Sequence, residues 1–176
     1  MTKRLSFLLL DANIIIELWR LGLWNRLVEL CDIHVGQTVV GEADFFLDAS
    51  GNRVAIDLSA DIASRRIQVF QVEFSELAEF RSRYDPSYLA KLDPGETEAL
   101  VKLLTLSSDW RLCSADGIVF KVLANVQRGE QGISLEEVLG QVGMSRPLRK
   151  QYTREFRTEK TKLGAIDAIQ NRGRKE

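Results

Sequence analysis

Between Leu5 and Leu10 the chain is apolar apart from Ser6, and the run stops on Asp11, with Asn13 two residues later. A hydrophobic run without alternation fits a strand buried on both faces, the condition of a parallel strand inside an α/β sheet. A carboxylate placed directly after such a strand falls at the sheet's carboxyl edge, where open α/β folds put their chemistry. Asp is also a good N-cap for the helix that follows. Asp11 alone therefore decides nothing, and the question is whether other acids reach the same edge.

The rest of the chain alternates strands and helices. After β-strand 5–10, helices are predicted around Ile14 to Arg20 and Leu23 to Cys31, then an extended piece from Ile33 to Gly36. Thr38 can cap a helix running from Val39 to about Leu47. Asp48 to Asn52 is rich in turn formers, Arg53 to Leu58 reads as an accessory strand, and Ile67 to Val72 alternates as a further strand. Ser75 to Tyr84 predicts an exposed, charged helix. Asp93, Pro94 and Glu96 form a compact helix start, with Asp93 as N-cap and Ala99, Leu100, Leu103 and Leu104 continuing at helical spacing. Trp110 to Ser114 predicts a strand and Gly117 to Gln127 a helix, while the capping box at Ser134 and Glu137 opens a last helix to about Val142. Short connections between alternating elements imply an α/β fold, a parallel sheet wrapped by helices.

The 176 residues suffice for one domain with a sizeable core, and 45% hydrophobic with 28% charged residues is ordinary for a globular chain. Charge is unevenly spread. From Ser145 to Glu176 ten Lys or Arg stand against four Asp or Glu, so that segment carries +6 while the whole chain carries −1. The sequence thus divides into an acidic body, residues 1–144, and a basic helical tail, residues 145–176, whose end from Asn171 is expected to fray. Arg146, Arg149, Lys150, Arg154 and Arg157 could neutralise phosphates of a nucleic acid. They could equally be one face of a solvated helix, pairing with Glu155 and Glu159. No stretch approaches the roughly 20 apolar residues of a membrane span, and Asp11 interrupts the only run that could begin a signal peptide. Cys31 and Cys113 form no CxxC pair and fit buried thiols in a reducing compartment. A cytoplasmic protein is expected.

Four acids share a comparable setting: Asp11 after the first strand, Glu42 on an early helix, Glu96 at a helix start, and Asp116 after Leu112-Cys113-Ser114-Ala115. In a parallel sheet the carboxyl ends of the strands and the N-termini of the following helices lie on one side, so Asp11, Glu96 and Asp116 should converge. Converging carboxylates raise one another's pKa unless a cation neutralises them. Oxygen ligands without His or Cys favour a hard cation, Mg²⁺ or Mn²⁺. Ions held this way serve phosphodiester cleavage by activating water and steadying the leaving oxygen. Each acid also has a structural reading: Asp11 and Asp116 as N-caps, Glu96 as the capping-box partner of Asp93, Glu42 as a solvated helix residue. Glu98 competes with Glu96 but lies about 200° away around the helix, and Asp44 competes with Glu42 on the same grounds.

The succession Leu10-Asp11-Ala12-Asn13, Thr38-Val39-Val40-Gly41-Glu42, Gly95-Glu96-Thr97-Glu98-Ala99 and Ser114-Ala115-Asp116 resembles the PIN domain. It is most similar to the PIN proteins with a Gly-Glu-x-x-Ala motif, relatives of the VapC toxins, over Leu5 to Leu139. The resemblance implies a three-layer α/β/α sandwich with a central parallel sheet and metal-dependent cleavage of single-stranded RNA. Asp11, Glu42, Glu96 and Asp116 match the family's acidic quartet; Asp11, Glu96 and Asp116 would hold the metal. Asn13 matches the amide that orders the site, and Ser114 stands where the family has Thr or Ser. A homodimer and a restraining antitoxin protein are implied partners. The enlarged loop near Asp48 to Arg53 and the tail beyond Ser145 depart from the compact toxin pattern. A catalytically inactive RNA-binding or protein-interaction module of the same fold is the alternative.

Other chemistry finds little support. His34 is the only histidine and lies in a predicted strand without a nucleophile motif. Phosphate-binding Gly-rich loops are absent. Trp19 and Trp24 could stack on bases or bury in the core or a dimer interface.

Overall fold

A computed structural model describes residues 5–175; the charged flank Met1 to Arg4 and the terminal Glu176 lie outside the described residues. Five parallel strands form the central sheet: β1 (Leu5–Leu10), β2 (Cys31–Gly36), β5 (Ile67–Phe70), β6 (Arg111–Cys113) and β7 (Gly132–Ile133), in the order β5-β2-β1-β6-β7. The first strand is central, pairing Leu9 with His34 on one side and Leu112 on the other. Its apolar run follows from that position. Leu8 and Leu10 enter one core with Ile14, Leu18, Ile33, Leu135 and Val138, whereas Leu9 enters the other with Leu100, Leu112, Val119 and Leu123. Successive side chains point to opposite faces, so a strand covered on both sides must be apolar throughout.

Helices α1 (Ala12–Arg20), α2 (Trp24–Leu30) and α8 (Leu135–Gln141) contribute to the first core; α5 (Phe74–Ser82), α6 (Pro94–Leu104) and α7 (Gly117–Asn125) to the second. The expected three-layer sandwich is therefore present. Two short helices, α3 (Gln37–Glu42) and α4 (Ser59–Ala63), complete the connections before β5.

Several boundaries differ from expectation. The helix predicted from Val39 to Leu47 ends at Glu42, because Phe45–Leu47 forms a strand (β3) paired antiparallel with β4 (Arg53–Ala55). Two adjacent aromatic residues favour the pleated surface over a helix. The intervening loop is closed by Asp48, whose Oδ1 accepts the N–H groups of Ser50 and Asn52 at 2.8 and 2.9 Å. Thr38 is not the helix cap. Gly36 is, and the Thr38 N–H donates to Glu98 Oε2 at 3.0 Å.

The basic segment forms a 16-residue helix, α9 (Arg154–Ile169), packed on α7. Gly164 makes this possible: a Cβ there would come within 2.2 Å of the Lys121 carbonyl oxygen. Lys121 Nζ also meets Asp167 at 3.0 Å, and Tyr88 Oη donates to the same carboxylate at 3.1 Å. The expected fraying from Asn171 does not occur among the described residues. The Asp85 N–H donates to Gly173 O at 2.8 Å, Lys175 N–H to Arg83 O at 2.9 Å, and Asn125 Nδ2 to Arg172 O at 3.0 Å. Two of these bonds pair residues 173–175 with the segment that follows α5.

Candidate active site

Asp11 follows β1 and caps α1, its Oδ1 accepting the Ile14 N–H at 3.0 Å. Its Oδ2 faces the Ala115 N–H at 3.3 Å, and Ser114 hydrogen-bonds the same carboxylate. The helix-cap and site readings of Asp11 are thus one arrangement. The cap fixes the rotamer, and the contacts to 114–115 tie it to the end of β6. At 2% exposure, burial pushes this carboxyl up to about 6, against the lowering effect of its three hydrogen bonds.

Asp116 caps α7, with Oδ1 accepting the Ile118 N–H at 3.0 Å, and its own N–H donates to Ser114 Oγ at 3.0 Å. Ser114, fully buried, therefore joins Asp11 to Asp116. Asn13 lies exposed in the first turn of α1.

Glu96 enters from α6. It too is 2% exposed, and burial followed by the charges of Asp116, Asp93 and Asp11 pushes its carboxyl up to about 9. One oxygen, Oε2, accepts the Asp93 N–H at 3.2 Å; the other, Oε1, is buried without a hydrogen-bond partner. Glu42 closes the cluster at the end of α3, its carboxylate accepting the Gly95 N–H, and burial and Asp93 raise its pKa. A Cβ on Gly95 would stand 2.5 Å from Glu42 Oε2. The glycine of the Gly-Glu-x-x-Ala motif thus leaves room for a second acid beside Glu96.

The two competitors lie elsewhere. Glu98 is buried against Gly36 at the β2–α3 junction, where it holds the Thr38 N–H, and Asp44 is exposed. Sequence reasoning misses Asp93. It assigns this residue a helix cap only, yet the Asp93 charge bears on Asp11, Glu42 and Glu96. The available signal is its position three residues before a candidate ligand, on the same helix turn.

Among the described residues none of these five acids pairs with Lys or Arg. Nor do three His, Cys, Asp or Glu side chains among them stand close enough to hold a metal ion as arranged. The chemistry of the set nevertheless fits a hard cation: every donor is a carboxylate oxygen, and the buried Glu96 Oε1 lacks any partner within the protein.

The basic side chains singled out in the tail are engaged with the protein. Arg146 donates to Leu21 O at 3.3 Å, Arg149 meets the buried Glu17 at 2.7 Å and stacks over Tyr152, and Lys150 lies 4.0 Å from Glu159. Arg157 grips Glu137 with two bonds of 2.6 and 2.8 Å, with Arg154 at 3.8 Å from the same carboxylate. Trp24 is buried and donates to Asp61 at 2.8 Å, with Trp19 stacked beside it. His34 sits half-buried against the edge of Trp110. Cys31 and Cys113 are buried free thiols, and burial raises the Cys113 thiol well above its usual range. Among the described residues no helix is long and apolar enough to cross a membrane.

Comparison with known proteins yields no match to a family model, to a curated protein or to a solved structure.

Proposed function

We propose that this chain is a divalent-metal-dependent endoribonuclease cleaving single-stranded RNA. The observation that carries the reading is Glu96: a buried carboxyl among Asp11, Asp93 and Asp116, with one oxygen unpartnered and no Lys or Arg paired with it among the described residues. Such a group is costly to ionise unless an external cation joins it. Its surroundings are the four motifs whose order resembles the PIN domain.

Asp11, Glu96 and Asp116 would hold Mg²⁺ or Mn²⁺, with Glu42 and Asp93 beside them. Bound there, the ion would polarise water for in-line attack on a phosphodiester and neutralise the departing oxygen. The protein's own part is orientation. Ser114 and the α1 and α7 caps fix Asp11 and Asp116, the capping box fixes one oxygen of Glu96, and Gly95 admits Glu42. The reading is tested with purified protein, a single-stranded RNA and Mn²⁺ or Mg²⁺. Asp11→Asn should abolish product formation, and equal cleavage by the variant would refute it.

A second reading follows from the absence of a ready three-carboxylate cage among the described residues. In that reading the fold binds RNA or a protein without turnover. Salt-sensitive binding with no product in Mn²⁺ would select it. The resemblance to VapC relatives extends the first reading to a cytoplasmic, homodimeric toxin restrained by an antitoxin; growth arrest on expression that Asp11→Asn relieves is the corresponding test.

A further inference from the structure

Asp116 does not only face the acidic pocket. It also stands at the end of a groove of about 470 Å³ between α7, α9 and the segment around Tyr88, whose other polar side chains include Lys91, Lys121 and Lys160. Lys91 is exposed. Lys121 is held by Asp167 at 3.0 Å and lies over the Tyr88 ring at 5.3 Å. Lys160 lies over the Phe156 ring at 5.2 Å, pairs with the half-exposed Glu159 at 2.9 Å, and passes Gly117 so closely that a Cβ there would meet its methylenes at 3.0 Å. The α9 helix thus lays a lysine directly against the residue after Asp116.

We propose that this groove seats the backbone phosphates of a single-stranded RNA beside the one lying in the acidic pocket, with Lys91, Lys121 and Lys160 as phosphate ligands and Phe156 as a stacking surface for a base. The identity of the strand rests on the endoribonuclease reading. The physical need is independent of it. A phosphodiester chain approaching this acidic cluster is repelled, so a strand that enters the pocket requires cations on its flank. The five arginines and lysines read from sequence do not serve, because none of them lines this groove and Arg149, Arg154 and Arg157 are tied to Glu17 and Glu137. The three groove lysines are differently placed. Lys91 faces solvent, Lys160 can exchange the solvent-facing Glu159 for a phosphate, and Lys121 is oriented by Asp167 and Tyr88. Aromatic rings interleaved with cations are the usual means of holding single strands without sequence readout.

The test measures binding of a short fluorescein-labelled oligouridylate to the full chain in EDTA over a range of salt concentrations. Lys91→Glu combined with Lys160→Glu should weaken binding about tenfold or more and flatten the salt dependence by ~0.7 for each phosphate no longer neutralised. Arg substitutions at both positions should retain binding, and Arg26→Glu, on the exposed surface of α2, should behave as wild type. Lys91→Glu alone, at an exposed position where folding is not at stake, should move affinity and slope in the same direction. Unchanged affinity and slope in the Lys91 and Lys160 variants, an equal loss in Arg26→Glu, or no binding by the wild type would each overturn the groove. Failure of the nuclease reading is separable: the wild type would then release no product in Mn²⁺ while lysine-dependent binding persisted.

Discussion

Asp93 and Glu96 hold each other reciprocally: the Glu96 N–H donates to Asp93 Oδ1 at 2.7 Å, and the Asp93 N–H donates to Glu96 Oε2 at 3.2 Å. This capping box starts α6 and also brings a fifth carboxylate to the acidic pocket. The two roles can be separated by substitution. Asp93→Asn keeps a side-chain oxygen for the cap and should leave stability nearly unchanged, while lowering the pKa of Glu96 by removing a negative neighbour. Asp93→Ala loses the cap and should cost about 1 kcal/mol. Thermal unfolding with carboxyl-resolved NMR titration checks both; an unmoved Glu96 in Asp93→Asn would dismiss the electrostatic role.

The pH dependence of the metal-free protein follows from the raised carboxyls of the cluster, Asp11 and Glu96 foremost. Folded Asp11 titrates at about 6 against an ordinary 3.8, and Glu96 at about 9 against 4.5. The folded chain therefore keeps protons that the unfolded chain gives up. Their stabilisation is full below the lower values and is lost as pH rises through the higher ones, by about 1.4 kcal/mol per pH unit for each proton retained. The melting temperature in EDTA should fall from pH 5 towards pH 9, and Glu96→Gln should flatten the fall. Mg²⁺ binds the ionised carboxyls, so its stabilising effect should grow over the same interval. A melting temperature in Glu96→Gln that tracks wild type across this range would contradict the assignment.

Asp11→Asn separates chemistry from folding. The amide oxygen can still accept the Ile14 N–H, so helix α1 keeps its cap. Cleavage in Mn²⁺ should drop by two orders of magnitude or more, roughly the loss expected when a metal-site group is removed. Circular dichroism should stay unchanged. Parallel loss of fold and activity would return Asp11 to a purely structural role.

The sequence carried the sandwich because β1 is covered on both faces, and a continuous apolar run records that directly. It did not carry β7, whose two residues Gly132–Ile133 are too few to show a period and exist as a strand only through pairing with Leu112 and Cys113. The β3–β4 pair was half legible: the turn at Asp48 to Asn52 was clear, but the three residues Phe45–Leu47 are too short a run to show a period, and their aromatic preference for a strand is expressed only once Val54 and Ala55 are placed opposite. At the site, Asp11, Glu42, Glu96 and Asp116 could be singled out because each follows a strand or lies on or opens a helix. Asp93 was hidden by having a sufficient local explanation. The roles of the tail arginines were not legible either, since Arg149 meets Glu17 across 132 positions of sequence.

Arg157 illustrates the consequence. Its side chain is 17% exposed, and the guanidinium spans both oxygens of Glu137, the residue whose Oε2 also accepts the Ser134 N–H that opens α8. Arg157→Ala should therefore destabilise the fold by about 1.5–3 kcal/mol, the range for hydrogen bonds to charged groups. Binding of RNA at fixed folded fraction should be unaffected. Urea unfolding measures the first quantity and anisotropy titration the second. A stable variant with weakened RNA binding would instead restore the arginine to the nucleic-acid face.

Two glycines give opposite predictions from the same operation. At Gly95 an added methyl meets the end of the Glu42 side chain at 2.5 Å and Val39 Cγ2 at 3.0 Å; at Gly164 it meets the Lys121 backbone at 2.2 to 2.7 Å. A side-chain end can swing away, whereas helix backbone moves only with its helix. Gly95→Ala should then fold with near-wild-type stability, the favourable helix propensity of Ala offsetting the local shift. It should lose most metal-dependent cleavage, because Glu42 is displaced from the pocket and loses the Gly95 N–H geometry. Gly164→Ala should destabilise by about 1–3 kcal/mol through overpacking, pushing α9 off α7 and taking Lys160 from its place beside Gly117. Activity on RNA in Gly164→Ala should fall through weaker binding, seen as a raised KM. In Gly95→Ala it should fall through kcat. If both variants lost stability equally, the crowding at Gly95 would involve more than the Glu42 carboxylate. If neither lost activity, neither Glu42 nor the seating of α9 would matter to the reaction.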